Sequence, residues 1–245
     1  MKTEKFYTLL SAAQQSPAHY QLAKQEYNSS TYTDSERLSV AFRTLIDGMY
    51  SHRCAVMPDF GNLRTNEGKA KRDSWLAAHQ SHLPIKDTEH SVLTTMQATV
   101  QKLLDVQLER VVLPAYTPNG STCTAPQQAV MADKARSKIY FFTAVSDASA
   151  YAGLAVKYGL HYRAGLLLLQ ARKAGYNIGL ADVMTVAVDK TAPYTVRTFS
   201  FEAVHEAALL AKVEQALELV AQIEQSGASD LPAVVHTEVS LEGVL

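Results

Sequence analysis

The sequence predicts a mixed α/β (α+β) fold, a central sheet flanked by helices with a mainly helical N-terminal part. Three observations predict it. Residues up to 105 carry apolar side chains at helical spacing, residues from 108 onward fall into short runs rich in Val, Leu, Ile and Phe, and further helical stretches are interleaved with those runs. The 245 residues, 47% of them hydrophobic, suffice for one sizeable core, and neither a linker nor an internal repeat divides them. The reading is one domain over 1–225, helical to 105 and a sheet core with closing helices from 106. A polar or small-residue tail follows over 226–245.

In chain order, 6–24 reads as two short helices meeting at Ser16-Pro17, because proline is tolerated in a first helical turn. Thr33-Asp34-Ser35 caps a helix whose Leu38, Ala41, Phe42, Leu45, Ile46 and Met49 share one face. A short strand over 53–57 stops at Pro58, and 64–79 is a polar, basic helix ending near Trp75 and Leu76. Asp87 or Thr88 caps an amphipathic helix with Val92, Leu93, Met96, Val100, Leu103 and Leu104 inward. Strands follow over 108–116, 129–132 and 139–145, the first ended by the turn Thr117-Pro118-Asn119-Gly120 and the others joined by a charged tip over 133–138. A helical stretch over 148–174 breaks near Gly159. A strand pair (181–188 and 194–201) and a long helix over 201–225 complete the order.

Composition narrows the function. Lys and Arg number 23 against 24 Asp and Glu, a formal charge of −1, which excludes binding driven by net charge alone but not by a local basic groove. The most apolar stretch, 164–169, is far shorter than a membrane span, and 1–11 does not read as a secretory signal; the expectation is a cytoplasmic protein with no membrane partner. Two cysteines, Cys54 and Cys123, cannot form a thiolate zinc site or a disulfide framework by themselves. The histidines are scattered, with His79 and His82 reading as loop residues, and there is neither a phosphate-cradling glycine loop nor a nucleophile elbow. One basic cluster stands out, Arg64, Lys69, Lys71 and Arg72, either a solvated helix face or a phosphate-contacting surface.

Several segments, in order and at matching spacing, carry a resemblance. They are Ser16-Pro17-Ala18-His19-Tyr20, Val56-Met57-Pro58-Asp59-Phe60 leading to Arg64-Thr65-Asn66-Glu67-Gly68-Lys69, Glu109, and Asn119-Gly120. Ser146-Asp147-Ala148-Ser149, Lys157-Tyr158-Gly159-Leu160-His161-Tyr162, and Val188-Asp189-Lys190 to Pro193-Tyr194 continue it. Together they resemble the exonuclease VIII (RecE)-like PD-(D/E)XK nucleases of phage and prophage recombination systems. The resemblance implies a PD-(D/E)XK core in which carboxylates hold one or two Mg²⁺ ions and a lysine steadies the transition state.

The chain departs from that pattern where the chemistry would sit. The strand that should read Asp-x-Lys-Thr is Ile139-Tyr140-Phe141-Phe142-Thr143-Ala144, which puts Phe141 at the acid and Thr143 at the lysine. An ungapped count puts Gln128 at the other acid; a gapped one puts Asp133 there. Arg43-Thr44-Leu45-Ile46-Asp47 stands where the family has Gly-Thr-x-x-His, and Arg163 replaces a helix glutamine, so that only Glu109 persists. The sequence therefore predicts no intact catalytic set and no metal, with Glu109, Gln128, Phe141, Thr143 and Arg163 as the degenerate site. Arg163 is expected to rest on Phe141 and pair with Glu109, unless it points to solvent. The resulting expectation is an inactive relative that binds DNA ends, a recombination protein or a host or phage protein, with self-association also implied by the resemblance. The alternative is an active Mg²⁺-dependent 5′–3′ DNA exonuclease.

Overall fold

Local signals set most element boundaries in the computed structural model, which describes residues 5–28, 32–104, 107–133 and 137–226. Helix α1 (Phe6–Gln15) ends at Ser16, and Pro17 opens α2 (Pro17–Asn28). Thr33 caps α3 (Asp34–Ile46) through a reciprocal box with Glu36, each side chain bonding the other's backbone N–H. Then come α4 (Tyr50–Arg53), β1 (Cys54–Met57), α5 (Asn66–Ala78), β2 (Leu83–Lys86) and α6 (Asp87–Leu104). The C-terminal half contributes β3 (Glu109–Leu113), β4 (Gln128–Asp133), β5 (Lys138–Val145), α7 (Ala148–Gly153), α8 (Leu160–Lys173), β6 (Val183–Asp189), β7 (Val196–Phe199) and α9 (Glu206–Ser226).

Five strands form one mixed sheet in the order β3-β4-β5-β6-β7. Only the β5–β6 pair is parallel, and its connection runs through α7 and α8, as a parallel pair requires. The expected mixed sheet flanked by helices is thus the observed architecture. One face carries Val130, Ile139, Phe141 and Val183 against Leu10 of α1, Leu166 of α8 and Val213 of α9. The opposite face packs Met131, Tyr140, Phe142 and Val186 against Phe42 of α3 and Leu93 and Met96 of α6.

Where the sequence reading departs from this layout, short range is the cause. Leu83-Pro84-Ile85-Lys86 is too short to announce itself, yet pairs in parallel with β1 and buries Ile85 completely. Pro114 ends β3 three residues early because it lacks the N–H a ladder needs, and a tight turn over Ala203–His205 delays α9 to Glu206. Apart from Ser226, the expected C-terminal tail lies outside the described residues.

The contact of α8 with α9 depends on Gly165. A Cβ there would stand 2.8 Å from Val213 Cγ2 and 3.2 Å from Leu209 Cγ, both branched side chains with little room to yield. Gly165→Ala is expected to destabilise the fold by about 1–3 kcal/mol through overpacking, despite alanine's better helix propensity. Urea unfolding should show a lower midpoint at unchanged slope.

Candidate functional site

The hydrogen-bonded ladder between β4 and β5 joins Met131, Ala132 and Asp133 to Tyr140, Ile139 and Lys138. Beyond Tyr140, β5 continues along β6 to Val145 while β4 runs back to Gln128 alongside β3. A cleft opens beside this divergence, and α3 and the first turn of α8 close over it. By the pairing register Glu109, Gln128, Phe141 and Thr143 all project from the same face of the sheet. Gln128, Phe141, Thr143 and Arg163 line the cleft; Glu109 and Asp133 do not.

Arg163 divides the cleft. It lies in the first turn of α8, after Gly159, whose left-handed backbone (φ 69°) starts that helix. Only 5% exposed, it places its guanidinium carbon 3.0 Å from the Phe141 ring centre and 5.1 Å from that of Tyr7. The expected rest on Phe141 is present. Glu109 stands exposed at the start of the edge strand.

On one side of this partition is a chamber of about 360 Å³ into which Arg43, Arg53, Arg110 and Arg163 project, together with Gln127 and Gln128. Its one carboxylate among the described residues, Asp47, follows α3. It accepts a hydrogen bond from the Met49 N–H (3.1 Å) and faces Arg110 at 3.7 Å. Burial pushes the Asp47 carboxyl above its ordinary range, although Met49, Arg110, Arg53 and Arg43 all pull the other way. Gln128 is 4% exposed, and its Oε1 has no hydrogen-bond partner among the described residues. The approach to Gln128 is held by Gln170 of α8, fully buried, whose Nε2 donates to the carbonyls of Pro114 (2.9 Å) and Pro126 (2.8 Å).

On the other side is a chamber of about 390 Å³ walled by Tyr7, Tyr151, Tyr158 and Phe141, with Ser39 and Thr143 at its floor. Tyr151 and Tyr158 stack with ring centres 5.4 Å apart. The Thr143 hydroxyl meets that of Ser39 at 3.1 Å. Burial and the neighbouring Tyr7 push the Tyr151 phenol up to about 12, so it stays neutral at physiological pH. The carboxylates here have structural tasks: Glu36 pairs with Lys5 and caps α3, and Asp147 caps α7 through Ser149 and Ala150.

The divalent cation implied by the resemblance does not fit these residues. Mg²⁺ needs several oxygen ligands with negative charge among them, whereas the implied ligand positions hold an amide, an aromatic ring and a hydroxyl. The carboxylates lining the cleft are engaged elsewhere, Asp47 by Met49 and Arg110, Glu36 by Lys5 and Thr33, and Asp147 by the start of α7. Among the described residues, no group of three or more His, Cys, Asp or Glu could hold a metal ion. What the arrangement suits is an anion with several acceptor oxygens, for which planar guanidinium forks are the usual partners.

The basic helix is a separate feature. Thr65 caps α5 at the Gly68 N–H (3.1 Å), and a Cβ on Gly68 would lie 2.4 Å from the Asn62 carbonyl oxygen. The Arg64-Thr65-Asn66-Glu67-Gly68-Lys69 stretch is therefore a helix start that requires glycine where the preceding loop crosses it. Lys71 pairs with Glu67 and Arg72 with Asp73, both on the same helix, which offsets part of the positive charge. Arg64, Lys69, Lys71 and Arg72 line neither chamber. Arg43, Arg53 and Arg110, which the basic-cluster reading passed over, come from three separate elements. The one sequence signal for them was Arg43, at a position where the resemblance expects glycine.

No helix among the described residues is long and apolar enough to cross a membrane. No family model matches the chain, and no curated protein matches it in sequence. In three dimensions it is similar to a crystal structure from Eubacterium rectale described as "Putative exonuclease". The TM-score is 0.56 at 8% identity, over 92% of this chain and 81% of that one. The chain therefore has an exonuclease-like α/β fold, with an arginine-lined cleft where its β4 and β5 strands diverge.

Proposed function

We propose that this protein is a non-cleaving relative of exonuclease VIII-type nucleases that binds DNA through the phosphate backbone or the strand end. The observation that carries the reading is the arginine chamber beside Gln128, Phe141 and Thr143, the positions where the resemblance calls for two acids and a lysine. An amide and an aromatic ring at the acid positions remove the means to activate water, while the arginines beside them supply affinity for phosphate. The exonuclease-like fold of the Eubacterium rectale protein supports the same reading. Within it, the protein serves as a binding module in recombination or phage–host conflict, alone or with a protein partner, and α5 supplies a second, weaker phosphate contact.

The test is purified protein on linear duplex DNA with Mg²⁺ or Mn²⁺, paired with binding at two salt concentrations. Intact DNA is expected, with binding that weakens by roughly 100-fold between 50 and 200 mM salt if about four phosphates are neutralised. Arg43→Gln/Arg110→Gln should flatten that salt dependence more than Lys69→Glu/Lys71→Glu/Arg72→Glu lowers affinity. Metal-dependent cleavage that Glu109→Ala abolishes would establish the active-exonuclease alternative instead.

A further inference from the structure

We propose that residues 233–241 of this chain dock on the outer edge of β3 as a further strand of the sheet, antiparallel to it. The added strand borders the arginine chamber, whose lining includes Arg110 and Val112.

The edge calls for a partner. β3 stands at one end of the sheet, and its ladder runs to β4. In an antiparallel ladder alternate residues turn their N–H and C=O groups toward the neighbour, so the others on β3 turn theirs outward. Among the described residues, no backbone hydrogen bond meets Arg110, Val111 or Val112 from that outer side. Val112 is 48% exposed beside it. An open edge of this kind is a template for any extended segment that reaches it, and folded proteins pair or cover such edges.

The sequence after α9 supplies a segment of matching pattern. Residues 227–245 lie outside the described ones, and the expected polar or small character gives way after Pro232. From there Val235, Thr237, Val239 and Leu241 alternate with His236, Glu238 and Ser240, the two-residue repeat of a half-buried strand rich in β-branched side chains. A strand added to β3 continues both faces of the sheet. Val111 and Leu113 belong to the core on one face, and Arg110 and Val112 project from the other. With Val235 opposite Leu113, Thr237 faces Val111 and Glu238 faces Arg110. Apolar side chains then extend the core, and a carboxylate stands across from a guanidinium.

Geometry selects this edge and this direction. Helix α9 runs beside the β3–β4 connection, where Glu214 accepts from the Tyr116 hydroxyl at 2.5 Å and Gln225 Nε2 donates to the Thr122 hydroxyl at 2.8 Å. Its last turn therefore lies at the tip of a hairpin whose arms pair Leu113 with Gln128 and Tyr116 with Ala125. From that tip back to Leu113 is roughly six residues of extended chain, about 20 Å, and 227–232 can span about the same distance. A segment leaving the tip along β3 runs against it, which makes the pairing antiparallel. The opposite edge, β7, lies four strands away, about 19 Å farther across the sheet.

Hydrogen exchange and cross-linking on the full chain test the added strand. Thr237→Pro removes an N–H and blocks pairing. It is expected to speed exchange of the outward β3 amides by at least about tenfold and to leave β5 and β6 unchanged. Under mild oxidation Val112→Cys/His236→Cys should form an intrachain disulfide between positions 112 and 236, located by peptide mapping apart from Cys54 and Cys123. Val112→Cys/Val235→Cys, which places one thiol on the other face, should form far less. A disulfide joining positions 112 and 236 of two chains assigns the strand to a second copy and overturns docking within one chain. Exchange at β3 that is fast in wild type and indifferent to Thr237→Pro, with no cross-link, overturns the added strand altogether.

Discussion

Arg37→Ala is expected to lower the unfolding free energy by about 3 kcal/mol, the lower end of the cost of stranding one partner of a buried ion pair. Arg37 on α3 meets Glu89 on α6 with both nitrogens, at 2.5 and 2.6 Å, and also donates to the Pro84 carbonyl at 2.9 Å. The two side chains are only 12% and 17% exposed. Removing the guanidinium leaves a largely desolvated carboxylate and frees the seam between α3, α6 and β2. Arg37→Ala/Glu89→Ala should recover much of the loss, because no charge is then stranded.

The same pair has a pH signature. Burial by itself would raise the Glu89 carboxyl, but the Arg37 hydrogen bonds and the Lys86 N–H outweigh it and hold the group below its ordinary value. A depressed folded-state pKa stabilises fully above the unfolded-state value near 4.5, and that contribution fades as pH falls through the folded value. Wild type should therefore lose stability on acidification below about pH 4.5 more steeply than Arg37→Ala, which thermal melts at stepped pH will show.

Arg163→Ala is expected to cost about 2–3 kcal/mol and to abolish selective phosphate binding. The guanidinium covers Phe141 and reaches Tyr7, so truncation loses a cation–π contact and leaves a cavity where α1, α8 and β5 meet. Arg163→Met, which fills similar space without charge, should recover a good part of the stability but none of the phosphate affinity. That divergence separates support of the fold from recognition of the ligand. Urea unfolding together with phosphate titration of both variants would measure it, and an Arg163→Ala variant that melts like wild type would overturn the packing argument.

Much of this molecule is written locally. Ser16-Pro17 separates two helices, Thr33 and Glu36 start α3, and short runs of apolar residues mark the central strands, because caps, prolines and apolar runs act within a few residues. The parity that puts Gln128, Phe141 and Thr143 on one face of the sheet is also local, since it follows from the two-residue repeat of a strand. That 139–144 carries neither an acid nor a lysine could be read from residue identities alone. The arginines of the cleft could not. Arg43 comes from α3, Arg53 from α4, Arg110 from β3 and Arg163 from α8, and in the sequence each is an isolated basic residue no more notable than its neighbours. The conspicuous cluster around Lys69 lies elsewhere and is partly neutralised on its own helix. Proximity between residues more than a hundred positions apart arises only when β4 leaves β5 and α3 and α8 close over the gap. Electrostatic potential adds over distance in space and not along the chain, so the charge of the cleft is a property of the tertiary structure.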